Sequence, residues 1–128
     1  MASDYTVLIA DDSTFSRMHT STLLEGTEFT VVGEAKNGLE ATEMAKELKP
    51  DLVLLDITMP EMSGSEALKV ILANDPDARV IMVSSVGAEE EVMACLDSGA
   101  LSFLQKPAEQ NDLLANLRNA VGAERGQG

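Results

Sequence analysis

Leu52-Val53-Leu54-Leu55-Asp56 is a short, wholly apolar run that ends in an acid. A strand covered on one face alternates apolar with polar residues. A run without alternation reads as a strand covered on both faces, at the centre of a parallel sheet. Val7-Leu8-Ile9 and Val80-Ile81-Met82-Val83 share this character. Phe29-Thr30-Val31-Val32-Gly33 drifts into Glu34, and Ser102-Phe103-Leu104-Gln105 is short and partly polar, so these two suit the edges of a sheet. Between the runs the period becomes helical. Ala41, Met44, Ala45 and Leu48 recur at i, i+3, i+4 and i+7, and Leu113, Leu117 and Val121 nearly do so. Glu89-Glu90-Glu91 open a fourth helix, where negative charge suits the dipole. Gly38, Gly64 and Gly99 mark helix boundaries, and Pro50 follows the second helix. Five strands alternating with five helices predict an α/β fold, a five-stranded parallel sheet with helices on both faces. Edges at the second and fifth strands give the order 2-1-3-4-5.

The chain has 128 residues, 45 % hydrophobic and 24 % charged, the balance of one soluble globular domain. An ordered core over about 5–121 and a flexible tail over 122–128 are expected. The single cysteine, Cys95, excludes an internal disulfide and a multi-cysteine metal site, and its apolar neighbours mark it as a small buried hydrophobe. Nine basic against 22 acidic residues give a net charge of −13, which opposes nucleic-acid binding. No apolar run approaches the ~18 residues of a membrane span, and the first residues lack the pattern of a signal peptide. A cytoplasmic protein off the membrane is expected. His19, the only histidine, is expected at an exposed surface position.

Ligands of such sheets bind outside the carboxyl ends of the strands. Those ends carry Asp11-Asp12, Asp56, Ser84-Ser85 and Lys106-Pro107. Strands one and three are neighbours in the expected order, about 4.8 Å apart, so three carboxylates crowd one rim. Crowded carboxylates repel, and a cation removes the conflict. Oxygen ligands alone favour Mg²⁺, with Mn²⁺ or Ca²⁺ as substitutes. A carboxylate nucleophile, a cation, the Lys106 ammonium and the Ser84 hydroxyl together suit phosphoryl transfer.

With Ala10-Asp11-Asp12-Ser13, the stretch from Asp56 through Thr58-Met59-Pro60-Glu61-Met62 to Gly64, Val83-Ser84-Ser85 and Gln105-Lys106-Pro107 in this order, the chain resembles the receiver domain of two-component response regulators. Within that family it resembles stand-alone chemotaxis regulators of the CheY type. The resemblance spans about Tyr5 to Val121. It implies that Asp56 accepts a phosphoryl group from the phosphohistidine of a histidine kinase. It implies that Asp12 binds Mg²⁺ directly, Asp11 through water, and Thr58 through its backbone carbonyl. Ser84 and Lys106 would hold phosphoryl oxygens, with Lys106 aimed by a cis peptide before Pro107. Phe103 matches a switch position whose ring turns inward as Ser84 moves. Such a protein catalyses only its own phosphorylation and dephosphorylation, is monomeric, and signals to a target such as a flagellar motor or phosphatase component. Ala108 stands where the family often has a bulky aromatic, and Ser63 where it often has aspartate.

Four alternatives frame this reading. A carrier in a phosphorelay would share every site residue. A phosphatase of the haloacid dehalogenase type needs a second acid two residues after the nucleophile, where Thr58 stands. A flavin or nucleotide carrier needs a phosphate-cradling loop after strand one, where Asp11-Asp12 stand. A degenerate receiver would have lost chemical positions that this chain keeps.

Overall fold

The structure, a computed structural model, describes residues 5–126. The elements alternate: β1 (Tyr5–Ala10), α1 (Thr14–Leu24), β2 (Phe29–Ala35), α2 (Gly38–Leu48), β3 (Leu52–Asp56), α3 (Gly64–Asn74), β4 (Val80–Ser84), α4 (Glu89–Ser98), β5 (Ser102–Gln105) and α5 (Gln110–Gly126). The strands form one sheet in the order β2-β1-β3-β4-β5, and all four pairings are parallel. Both expected edges are edges.

Successive side chains of the central strands point to opposite faces, and both faces are apolar. Val7, Ile9, Leu52, Leu54 and Ile81 pack with Leu24 of α1 and Leu113, Leu117 and Val121 of α5. Leu8, Ala10, Val53, Leu55 and Met82 pack with Ala41 of α2, Ala67, Leu68 and Ile71 of α3, and Val92 and Cys95 of α4. This two-sided burial is the physical reason β3 lacks alternation, and each of its leucines contributes about 1.5–3 kcal/mol by leaving water.

The helix starts are fixed locally. The side chains of Ser13, Asn37 and Ser63 accept from the backbone N–H groups of Ser16, Glu40 and Glu66. At Ser63 the Glu66 carboxylate reaches back to the Ser63 N–H and completes a capping box. Gly64 closes the loop after β3, its N–H donating to the Ile57 carbonyl at 2.7 Å. A Cβ at Gly64 would stand 2.1 Å from the Asp56 carbonyl oxygen, so only glycine lets the chain fold back beneath Asp56. Two boundaries differ from the sequence reading. β2 continues to Ala35, because its last residues pair with the end of β1. α5 continues through Gly126, past the end expected at 121, and residues 127 and 128 of the expected tail lie outside the described residues.

Candidate functional site

β1, β3 and β5 deliver their C-terminal residues to one rim. Asp11 is buried and every polar group it carries is used. Its N–H donates to the Ala35 carbonyl at 3.0 Å, and its Oδ1 accepts from the Ser13 N–H at 2.9 Å. Its Oδ2 lies 2.8 Å from Lys106 Nζ. Asp56 is 4 % exposed, and Lys106 Nζ donates to its Oδ2 at 3.1 Å. Asp12 faces solvent, yet it completes a cluster in which a carboxylate oxygen from each of Asp11, Asp12 and Asp56 lies within 4.8 Å of the others.

The ammonium that bridges Asp11 and Asp56 is positioned by backbone. The Lys106 N–H donates to the Ser84 carbonyl at 2.8 Å, and the Lys106–Pro107 peptide is cis, as expected. The neighbouring strand ends are tied by the Ile57 N–H on the Val83 carbonyl at 3.0 Å.

Burial pushes the Asp56 carboxyl up to about 6, and the Asp11 charge adds to the rise; Lys106 and the Thr58 backbone oppose it. Burial also disfavours the Lys106 charge, but the hydrogen bonds and charges of Asp11 and Asp56 outweigh it and hold the ammonium above its usual range. One ammonium is shared by two buried carboxylates with a third beside them, and the Asp11 charge adds to what burial already does to Asp56. The donor set is all oxygen, clustered and partly open to solvent through Asp12. These residues fit a hard cation, and the cluster could hold a metal.

Thr58 lies two residues past Asp56, exposed in the loop before α3. Ser84 is buried at the end of β4, one residue beyond the Asp56–Val83 pairing. Phe103 is 46 % exposed on edge strand β5 and borders a cleft of about 270 Å³ that Ser84, Ala88, Val92 and Met93 also line. The structure therefore gathers Asp11, Asp12, Asp56 and Lys106 in direct contact or close reach. Ser84 stands at their flank and Phe103 beyond it.

Two side chains differ from expectation or escaped it. His19 is half-buried rather than simply exposed, with its Nε2 3.1 Å from the Ala108 carbonyl oxygen, a tie between α1 and the loop after β5. Arg17 is buried, and its guanidinium donates to the Asp11 carbonyl, to Glu34 and to Thr14. Its signal in the sequence was position: it lies seven residues before the buried Leu24, on the helix stripe that faces the sheet. Cys95 is buried as expected, and burial pushes its thiol up, away from reactivity. No helix among the described residues is long and apolar enough to cross a membrane.

Comparison with known proteins agrees with this geometry. Residues 7–118 match the family model described as the response regulator receiver domain. The chain is 46 % identical over 115 residues to a protein named chemotaxis protein CheY from Listeria monocytogenes, covering 90 % of this chain and 97 % of that one. The response regulator domain of Thermotoga maritima CheB is 42 % identical with a TM-score of 0.82, covering 91 % of this chain and 96 % of that domain. A chain from the crystal structure of a Borrelia burgdorferi CheX-CheY complex with BeF₃ and Mg²⁺ is 36 % identical with a TM-score of 0.81, covering 93 % of this chain and 87 % of that one.

Proposed function

The chain belongs to the family of response regulator receiver domains, and from that premise we propose that it is a phosphoacceptor switch of a chemotaxis pathway. The observation that carries this reading is Asp56: a buried carboxylate at a strand end, in the grip of Lys106 and beside two further acids. An Asp56 carboxylate oxygen attacks the phosphorus of a kinase phosphohistidine. The N–P bond breaks, its electron pair stays with the imidazole, and an acyl phosphate forms on Asp56. Lys106 already donates to the attacking carboxylate and can follow the phosphoryl oxygens as their charge builds. The clustered carboxylates of Asp11, Asp12 and Asp56 suit Mg²⁺, with Mn²⁺ or Ca²⁺ as substitutes, and the resemblance adds the Thr58 carbonyl as a further ligand; bound there, the ion would offset the charge of the carboxylates and the phosphoryl oxygens. The chain acts on no other substrate in this reading. It catalyses only its own phosphorylation and dephosphorylation, as a monomer in the cytoplasm.

The output runs from Ser84 to Phe103. The Ser84 hydroxyl swings toward the new phosphate, the loop through Gly87 follows, and the Phe103 ring enters the cleft it now borders. The downstream partner is a protein that reads β5 with α4 and α5. The relatives named for chemotaxis favour an output switch, with a motor or phosphatase component as its target, over a phosphorelay carrier.

Acetyl phosphate and Mg²⁺ are expected to place one hydroxylamine-labile phosphoryl group on the chain, detected by mass spectrometry, and Asp56→Asn to abolish it. A label that survives Asp56→Asn refutes the acceptor. For the switch, Ser84→Ala is expected to accept phosphate on Asp56 and to lose most of the gain in partner affinity that beryllofluoride produces in the wild type. An undiminished gain removes Ser84 from the coupling.

A further inference from the structure

Asp11 is held from four directions, and three of the holders belong to the ordinary fabric of the fold or to the site: the Ala35 carbonyl on β2, the Ser13 N–H at the start of α1, and Lys106. The fourth holder does not. Arg17 Nη1 donates to the Asp11 backbone carbonyl at 2.7 Å, its Nε lies 3.1 Å from Glu34 Oε1, and its Nη2 donates to the Thr14 hydroxyl at 3.3 Å. The arginine side chain is 11 % exposed, whereas the Glu34 side chain is 43 % exposed. The guanidinium therefore has a buried end on the site and an outer end on β2. A fixed planar fork can serve both at once; a lysine ammonium, a single point on a flexible stem, cannot.

The buried end has work to do. The Asp11 carbonyl lies at the bend where the chain leaves β1 and turns into α1, and the next residue is Asp12. A buried carbonyl left without a donor is costly, so the bend relaxes if Arg17 is removed. Both acids on that bend belong to the cluster on the rim. We propose that Arg17 is a positioning residue of the rim: through the Asp11 carbonyl it fixes the bend that sets Asp11 and Asp12 against Asp56. This rests on the reading of the rim as a divalent-cation and phosphoacceptor site, and it adds a residue that none of the strand-end motifs contains.

The sign of one measurement separates positioning from plain electrostatics. Arg17 is a cation near a cation site, so by charge alone its removal tightens divalent binding. Positioning demands the reverse. The experiment titrates the full chain with Mg²⁺ alone by calorimetry, in the wild type, Arg17→Met, Arg17→Lys and Glu34→Ala, and records the Asp11 carbonyl carbon shift by NMR. Arg17→Met is expected to weaken Mg²⁺ about tenfold, the usual scale for partners that orient metal ligands, and to move the Asp11 carbonyl shift. Glu34→Ala, which removes only the outer partner, is expected to stay within about twofold with that shift unmoved. If Arg17→Met does not fold, Arg17→Lys gives the same readouts with a smaller loss in the same direction. Tighter or unchanged binding in the arginine variants overturns the proposal, and so does an equal loss in Glu34→Ala, which would follow the β2 ion pair instead of Asp11. A folded wild type that takes up no Mg²⁺ overturns the reading of the rim itself, and this inference with it.

Discussion

β3 has an aspartate at each end, and the two live in opposite circumstances. Asp51, just before the strand, is satisfied by neutral donors. The Thr6 N–H donates to its Oδ2 at 2.7 Å, the Thr6 hydroxyl lies 3.2 Å from the same oxygen, and the Asp51 N–H returns a bond to that hydroxyl at 3.0 Å. The result is a reciprocal clasp between the starts of β1 and β3. Asp56, at the other end of the same strand, is buried beside another carboxylate and shares one ammonium with it. Its acidity is displaced up to about 6 by that burial first and by Asp11 second. An acid whose oxygens meet N–H and O–H groups of the fold is structural. An acid left in conflict at an open rim is a candidate for a ligand the fold does not supply, which in the proposed function is a cation and a phosphoryl group.

The strongest way to break the contrast is to remove the cation's share. Asp12 makes no structural bond among the described residues, so Asp12→Ala is expected to leave the fold intact and to reduce labelling of Asp56 by acetyl phosphate by more than the about 10–100-fold that losing a group which merely orients a metal ligand costs. Excess chelator is expected to do the same to the wild type. Labelling at the wild-type rate in either case, followed by mass spectrometry over time, removes the metal from the reading.

The clasp at the other end offers the complementary loss. Asp51→Ala deprives the Thr6 N–H of a charged acceptor and is expected to cost about 1–3 kcal/mol of stability in urea unfolding, without touching the labelling rate. Asp51→Asn keeps an oxygen in place and is expected to cost less than half as much. A labelling defect in Asp51→Ala at conditions where it is fully folded denies the separation of the two ends.

The sequence disclosed one of these ends and not the other. The rim was readable because three apolar runs identify central strands, and a rule about strand ends then converts Asp11, Asp56, Ser84 and Lys106 into neighbours. The order of the strands was readable for the same reason: Glu34 and the polar residues of Ser102-Phe103-Leu104-Gln105 mark the edges. The supports were hidden, because each joins elements whose spacing carries no period. Thr6 and Asp51 are 45 residues apart, Arg17 and Glu34 17 apart, His19 and Ala108 89 apart. By pattern alone Glu34 marks the decay of a strand, whereas in the fold it is the outer partner of a buried arginine. Local patterning reports which face of an element is buried. It does not report which polar groups meet across that face.

The pH dependence of stability is the most discriminating test, because it reads what burial and the Asp11 charge do to Asp56. A carboxyl whose value in the fold exceeds its value in the unfolded chain, here about 6 against 3.8, destabilises the fold only while it is ionised. The stability associated with a neutral Asp56 is fully present below the unfolded value and is lost as pH rises through the folded one. Asp56→Asn removes that ionisation and keeps the shape. In chelator, the variant is therefore expected to be more stable than the wild type at pH 7.5, and the advantage is expected to shrink across the window from about 6 down to 3.8 and to be gone below it. Subtracting the two urea midpoints at each pH cancels the background of the acids away from the rim, which titrate alike in both proteins. Adding Mg²⁺ at pH 7.5 is expected to narrow the gap, since the cation relieves in the wild type what asparagine relieves in the variant. A difference that stays flat from pH 7.5 to 4 in chelator means that Asp56 is as settled as Asp51, and the contrast between the two ends of β3 fails.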